Sequence, residues 1–255
     1  MFRGWDCCMT FDELILQYSK PLFPIETSLV PKGSPTAPVK ALLFDVYGTL
    51  FISKAGDIGT ARSEAALKIN EIRDLCRRFG YTNSVEDMLD RFHDRIAIEK
   101  RRTSEERGID YPEVIIEDIW EQVLGSFDRS MLQRFALEYE LIVNPVYPMP
   151  GLAILLSTLH LRNVVMGIIS NAQFYTPYLF SAHLGRSLDT IGFGADILFF
   201  SYKLGYGKPS PDAFHAAAER LSLRGIKREE TLYLGNDMLK DMYPAKSAGF
   251  QAVLF

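Results

Sequence analysis

The stretch Ala41-Leu-Leu-Phe-Asp-Val-Tyr-Gly-Thr-Leu50 decides how the rest of the chain is read. Four apolar residues, dense enough for a strand buried on both faces, run directly into Asp45, and Gly48-Thr49 then turn the chain. A carboxylate is thereby delivered to the carboxyl end of a strand, where open α/β sheets gather their ligands. An ordinary strand and turn would look the same in isolation, so the meaning of Asp45 depends on what other strands bring to that edge.

Downstream of residue 145 the pattern repeats. A helix is expected over 152–160 and a strand over 164–169, ending at Ser170-Asn171. A helix near 178–184 precedes a strand over 197–200, the loop 203–211 carries Lys208 before Pro209, and a helix follows over 212–221. A strand over 231–234 runs into Gly235-Asn-Asp-Met-Leu-Lys-Asp241. A further helix reaches Gly249, and a short strand is expected over 251–255. Repeated βα units imply a parallel, doubly wound sheet of the α/β class. In such a sheet four loops meet: Asp45, Tyr47 and Thr49; Ser170 and Asn171; Lys208; and Asn236, Asp237 and Asp241.

Between the first strand and these repeats the chain leaves through the loop 51–57 and becomes helical. Ile72, Leu75, Cys76 and Phe79 form one stripe before Gly80, and Ser84 opens a second helix with Val85, Met88, Leu89, Phe92 and Ile96 on one side. Asp110-Tyr-Pro112 is expected to open a third, striped by Ile116, Ile119, Trp120 and Val123, and a fourth spans 129–141. Helices without intervening strands make a bundle, so residues 57–144 read as an inserted cap domain on a core of 41–56 and 145–255. Asn144-Pro-Val-Tyr-Pro-Met-Pro-Gly151 reads as a rigid, turn-rich return to that core. Arg62, His93, Arg95 and Lys100 could reach a substrate, but on amphipathic helices such residues usually form the wet face. Residues 1–40 stand apart. Thr10 and Glu13 are spaced as a capping box ahead of Phe11, Leu14, Ile15 and Tyr18, and a proline-rich linker follows, so this arm is expected to pack on a neighbouring surface, its own or a partner's.

Composition narrows the function classes. In 255 residues, 47% hydrophobic and 24% charged, there is ample material for a core. The net charge of -4 provides no footprint for nucleic acid, and the basic run Lys100-Arg101-Arg102 is soon answered by Glu105-Glu106. No apolar run of membrane length occurs, and three cysteines, two of them adjacent at Cys7-Cys8, offer neither a disulfide framework nor metal-ligand spacing. The expectation is a cytoplasmic protein acting on a small molecule, without nucleic acid or membrane.

Taken in order, the four loops resemble the four motifs of the haloacid dehalogenase (HAD) superfamily, helical-cap branch, over roughly residues 40–255. The resemblance implies a hydrolase in which Asp45 is the nucleophile, Ser170, the Asn171 backbone and Lys208 bind and stabilise the substrate, and Asp241 orients Lys208 or acts on metal-bound water. A carboxylate is a competent nucleophile toward phosphorus or activated carbon, and Lys208 would favour its ionised form. The resemblance also implies Mg2+, held by Asp45, the main-chain carbonyl of Tyr47 and either Asn236 or Asp237. Hard oxygen donors suit that ion. The largest departure is Tyr47, where phosphatases of the family carry a second Asp as acid and base. Tyrosine is protonated at neutral pH and replaces it poorly. Asp-x-Tyr-Gly-Thr-Leu resembles instead the 2-haloacid dehalogenases, in which halide leaves without a proton and no metal is needed. A Mg-dependent phosphatase is the favoured expectation, a dehalogenase the alternative, and a non-catalytic binding or regulatory protein on the same scaffold the third.

Overall fold

The computed structural model describes residues 9–28, 30–54, 58–125 and 127–255, the side chains of 58–61 excepted. Cys7, Cys8 and residues 55–57 of the exit loop lie outside the described residues. In chain order the elements are α1 (Phe11–Tyr18), β1 (Ala41–Phe44), β2 (Phe51–Ser53), α2 (Ile58–Leu67), α3 (Ile69–Arg78), α4 (Val85–Arg107), α5 (Ile116–Leu124) and α6 (Arg129–Val143). They continue with β3 (Val146–Pro148), α7 (Leu152–Leu161), β4 (Val165–Ser170), α8 (Thr176–Leu184), α9 (Leu188–Ile191), β5 (Phe193–Phe200), α10 (Ser201–Leu204), α11 (Asp212–Ser222), β6 (Thr231–Gly235), α12 (Tyr243–Ser247) and β7 (Gln251–Leu254). A π-helical turn, Met238–Met242, separates β6 from α12.

Five strands form one parallel sheet in the order β5-β4-β1-β6-β7. The chain fills one side of β1 with β4 and β5, then crosses to the other with β6 and β7, so the strand order reverses at β1. Alternation along β1 divides the core. Phe44 faces a layer with Leu152, Leu156, Met166, Leu179 and Phe180, while Ala41 and Leu43 face one with Phe214, Ala217, Leu221, Tyr233 and Ala245. Phe44 stands level with Ile168 and Leu234, and Asp45 emerges one residue later at the centre of the sheet's carboxyl edge.

The helical insertion, α2 to α6, has its own core. Ile72, Leu75, Cys76 and Phe79 are buried against Trp120, Phe135 and the α4 stripe, with Phe92 stacked on Trp120 at 4.0 Å between ring centroids. The exit loop is corrected: Phe51–Ser53 is a strand, paired antiparallel with Val146–Pro148 from the return segment. This two-stranded ribbon carries the chain out and back side by side. The third helix of the insertion is corrected too. It starts at Ile116, not at Pro112, because residues 111–113 pair with the core instead: Gly207 N–H donates to the Tyr111 carbonyl (2.8 Å) and Glu113 N–H to that of Gly205 (3.0 Å). The Gln173 amide extends this tie, donating to the Val114 carbonyl (2.9 Å) and accepting from Ile116 N–H (3.1 Å).

The arm packs on its own chain. Thr10 and Glu13 form the capping box, and Leu14 and Ile15 are fully buried, each contributing about 1.5–3 kcal/mol of apolar burial. α1 lies against both α8 and α6. Asp12 accepts from the Ser181 hydroxyl at 2.7 Å, and the Tyr18 hydroxyl donates to Glu138 at 2.9 Å. Glu138, fully buried, is paired with Arg78 (2.6 Å) and Arg134 (3.2 Å). No helix of the described residues is long and apolar enough to cross a membrane.

Candidate active site

Residues from β1, β4, β6 and the loop before α11 converge on the Asp45 carboxylate. Lys208 Nζ lies 2.8 Å from Asp45 Oδ1 and 2.5 Å from Asp241 Oδ1, with all three side chains buried. The Tyr233 hydroxyl sits 2.8 Å from Asp241 Oδ1 and 3.0 Å from the Ile169 carbonyl, and Lys208 Nζ donates to it at 3.2 Å. Asp241 Oδ2 accepts the backbone N–H groups of Asn236 (3.1 Å) and Asp237 (3.0 Å). Both carboxylate oxygens of Asp241 are therefore engaged. Of its two expected roles, the geometry brings Asp241 together with Lys208. Gly235 allows this closure, because a Cβ there would fall on the Asp241 carboxyl group.

Electrostatics follow from burial. Burial pushes the Asp45 carboxyl above its ordinary range, and the Lys208 ammonium and the Ser170 hydroxyl bonded to it pull the other way. Lys208 favours the ionised form of Asp45, as expected, but desolvation is the larger influence and opposes it. Burial also opposes the charge on Lys208, yet the two carboxylates hold its pKa above the usual value.

Asn171 is brought to the site in an unexpected way. Its side chain clamps the Lys208 backbone, with Oδ1 accepting from Lys208 N–H (2.7 Å) and Nδ2 donating to the Lys208 carbonyl (3.1 Å). Thr49 is not brought to the cleft. Its hydroxyl is buried in the turn behind Asp45, without a hydrogen-bond partner among the described residues. The Tyr47 hydroxyl pairs with Thr176 Oγ1 at 2.9 Å, and burial pushes its pKa far up.

Asn236 and Asp237, adjacent in sequence, are used differently. Asp237 Oδ1 accepts the N–H groups of Leu239 (2.8 Å) and Lys240 (2.7 Å), capping the π-helical turn, so the inward rotation considered for it is not seen. The Asn236 amide rests against Gly48, whose φ of 82° and lack of a Cβ permit that approach. Among the described residues no group of three or more His, Cys, Asp or Glu side chains gathers as a metal cage. The Asp45 carboxylate, the Tyr47 carbonyl and the Asn236 amide are nevertheless hard oxygen donors, which fit Mg2+ in kind while supplying a single charge.

These groups form the floor of a cleft of about 1030 Å3. Its opposite wall belongs to the insertion and includes Lys100, Tyr111, Glu113 and Glu140. Lys100 is 3.7 Å from Glu113, while Arg62 is turned away to Asp90 at 3.0 Å. Two groups escape the motif reading. Tyr233 is indistinguishable from a core residue in a strand of alternating burial, and Glu140 lies near the end of a helix with Glu138 two residues before it and no motif around it.

Comparison with known proteins agrees with this geometry. The curated glyceraldehyde 3-phosphate phosphatase of Methanocaldococcus jannaschii is 24% identical over 216 residues, covering 84% of each chain. Among solved structures, a HAD phosphatase from Thermococcus onnurineus (23% identity, TM-score 0.52, 85% of this chain and 86% of that one) shares the fold. So does a 2-haloacid dehalogenase from Pseudomonas syringae pv. Tomato DC3000 (20% identity, TM-score 0.51, 85% and 86%). Residues 39–249 match the family model described as haloacid dehalogenase-like hydrolase, and with the Asp45 loop, Lys208 and the acidic loop of 236–241 meeting at one sheet edge, the chain belongs to that family of hydrolases.

Proposed function

We propose that the chain is a phosphatase acting on small phosphorylated metabolites through an aspartyl-enzyme intermediate on Asp45. The observation that supports phosphate over haloacid is the cation content of the cleft. Its described lining carries Lys100, Lys208 and Lys240 and no arginine. A guanidinium suits carboxylate and phosphate alike, but a lysine point charge close to the nucleophile is an established way to bind a phosphoryl group, and no second, forked cation is there in the described lining to hold a haloacid's carboxylate apart from its departing halide.

On this reading Asp45 attacks phosphorus, the bond to the leaving oxygen breaks, and water then opens the aspartyl phosphate. Lys208 offsets the negative charge that the equatorial oxygens carry in the transition state. Asp241, Tyr233 and the Asn171 clamp fix the position of that ammonium, so little reorganisation is needed when charge develops. Mg2+ would be held by Asp45, the Tyr47 carbonyl and Asn236, with Asp237 retained as a cap, and supplies further charge neutralisation when bound. Residues 57–144, as a cap, close the cleft over the substrate and set its choice. The curated archaeal relative makes glyceraldehyde 3-phosphate a natural member of the first panel.

The test is hydrolysis of phosphomonoesters, glyceraldehyde 3-phosphate among them, and of 2-chloropropionate, each with Mg2+ and with EDTA. Phosphate release that requires Mg2+ is expected. Halide release insensitive to EDTA would overturn the proposal in favour of a dehalogenase. That second reading is supported by Tyr47, whose Thr176-bonded phenol stays protonated at neutral pH and cannot act as the base that a phosphatase needs. No release from either class would leave the binding-protein reading.

A further inference from the structure

If the substrate is a phosphomonoester, one group must protonate the leaving alkoxide and then take a proton from the attacking water, and the Tyr47 phenol, tied to Thr176 and held far above its ordinary pKa, cannot serve as that base. Apart from Asp45, five acids among the described residues line the cleft, and of these Asp110 is exposed to solvent. Asp241 has donors on both oxygens, and Asp237 caps a turn. Glu113 accepts the Ser201 hydroxyl on Oε2 (2.9 Å) and its neighbour's N–H on Oε1 (3.0 Å), with Lys100 alongside. Glu140 differs in the kind of partner it has: the Asn144 amide and the Tyr175 hydroxyl, both neutral, rather than a cation or a turn's backbone amides. It comes from the last turn of α6 and is half-buried in the cleft wall.

We propose that Glu140, contributed by the helical insertion, is the general acid and base of this site. In the first step an Asp45 oxygen bonds to phosphorus, the phosphorus–oxygen bond to the alcohol breaks, and the Glu140 proton passes to that leaving oxygen. In the second, Glu140, now a carboxylate, takes a proton from water as the water oxygen attacks phosphorus. The bond to Asp45 breaks, and inorganic phosphate and both original side chains are regenerated. The surroundings suit both halves of the cycle. Burial holds the carboxyl above its ordinary range and favours the protonated form. The Asn144 amide donates to Oε1 at 2.9 Å, and the Tyr175 hydroxyl donates as well, so donors await the carboxylate once the proton has gone. Asn144 is itself held by the Ser53 hydroxyl at 2.9 Å, which ties the acid to the ribbon that starts beyond Asp45.

The proposal rests on the phosphatase reading, and leaving-group dependence separates the two. kcat/KM reports the steps through formation of the aspartyl phosphate, so it is measured for p-nitrophenyl phosphate, whose phenolate leaves unaided, and for glycerol 3-phosphate, whose alkoxide does not. Glu140→Gln is expected to lower kcat/KM for glycerol 3-phosphate by about 10²–10⁴-fold. For p-nitrophenyl phosphate the loss should stay within a few-fold, with the melting temperature retained. Equal losses on both esters, or none on either, would overturn the assignment, since a residue that merely anchors Asn144 and Tyr175 does not discriminate between leaving groups. Wild-type enzyme and Glu140→Asp, which keeps a carboxylic acid, provide a second measurement across a series of aryl and alkyl phosphates. A shallow leaving-group dependence in both is expected, and a steep one in the wild type would show that no general acid operates. Wild-type release of halide but not phosphate would instead remove the phosphatase reading, and this proposal with it.

Discussion

The floor and the wall of the cleft are built on opposite principles. On the floor, polar groups pair with one another: Lys208 with two carboxylates, Asp241 with the ammonium, a phenol and two backbone amides. Behind the wall, in the helical core of the insertion, apolar packing decides position and polar atoms are left over. Trp120 Nε1 and both ring nitrogens of His93 are buried with no hydrogen-bond partner among the described residues, beside a small cavity of about 120 Å3 that also touches Glu140 and Tyr175. Burial lowers the His93 pKa, which keeps the ring neutral there. A pre-paired floor presents fixed charge to a reacting group, whereas a wall with polar atoms to spare keeps capacity for a ligand or a proton.

The contrast can be broken most severely at the nucleophile. Asp45→Asn should abolish turnover of every accepted substrate, by about 10⁴-fold or more, while the fold persists, as steady-state assays and a thermal melt would register. Lys208→Met strikes the floor's pairing. It leaves two buried carboxylates uncompensated and should cost about 3–5 kcal/mol in denaturant unfolding, in addition to activity. Tyr233→Phe removes one hydroxyl from the same network while keeping the ring. A loss of about 1–3 kcal/mol is expected in the same unfolding experiment, with kcat falling more than KM changes as Lys208 loses a support. His93→Leu is the counterpart on the wall. It removes two unpaired nitrogens and should be neutral or stabilising by about 1 kcal/mol, and a clear destabilisation would mean that the wall's polar atoms are paired as fully as those of the floor.

What the sequence made legible was local or periodic. Asp45 could be placed because an apolar run before a turn has one structural meaning in an α/β chain, and Thr10 with Glu13 because a capping box spans three residues. The helices of the insertion followed from the stripes at Ile72, Leu75, Cys76 and Trp120. What escaped depended on partners far away in the chain. Phe51–Ser53 and Val146–Pro148 are three residues each, too short to announce a strand, and exist as one because they meet. Asp110-Tyr-Pro112 carries a helix-opening signal, yet its backbone groups found better partners in Gly205 and Gly207. Asp237 and Asn236 could not be told apart in advance, because an acid that caps a turn and an acid that faces a metal are the same residue until the turn is drawn. Glu140 was one of two acids on its helix, with nothing in the sequence to separate it from Glu138. Its difference comes from Tyr175 and Asn144, which only the folded chain brings to it.

The arm has a mechanical consequence. α1 is fastened at one side to α8 by Asp12 and Ser181 and at the other to α6 through Tyr18 and the Arg78–Glu138–Arg134 cluster, so it spans the seam between sheet and insertion. Any swing of the insertion away from the sheet has to shear these fastenings or carry the arm along. The first helix of the chain, remote in sequence from Asp45, therefore resists any such swing from both sides of the seam.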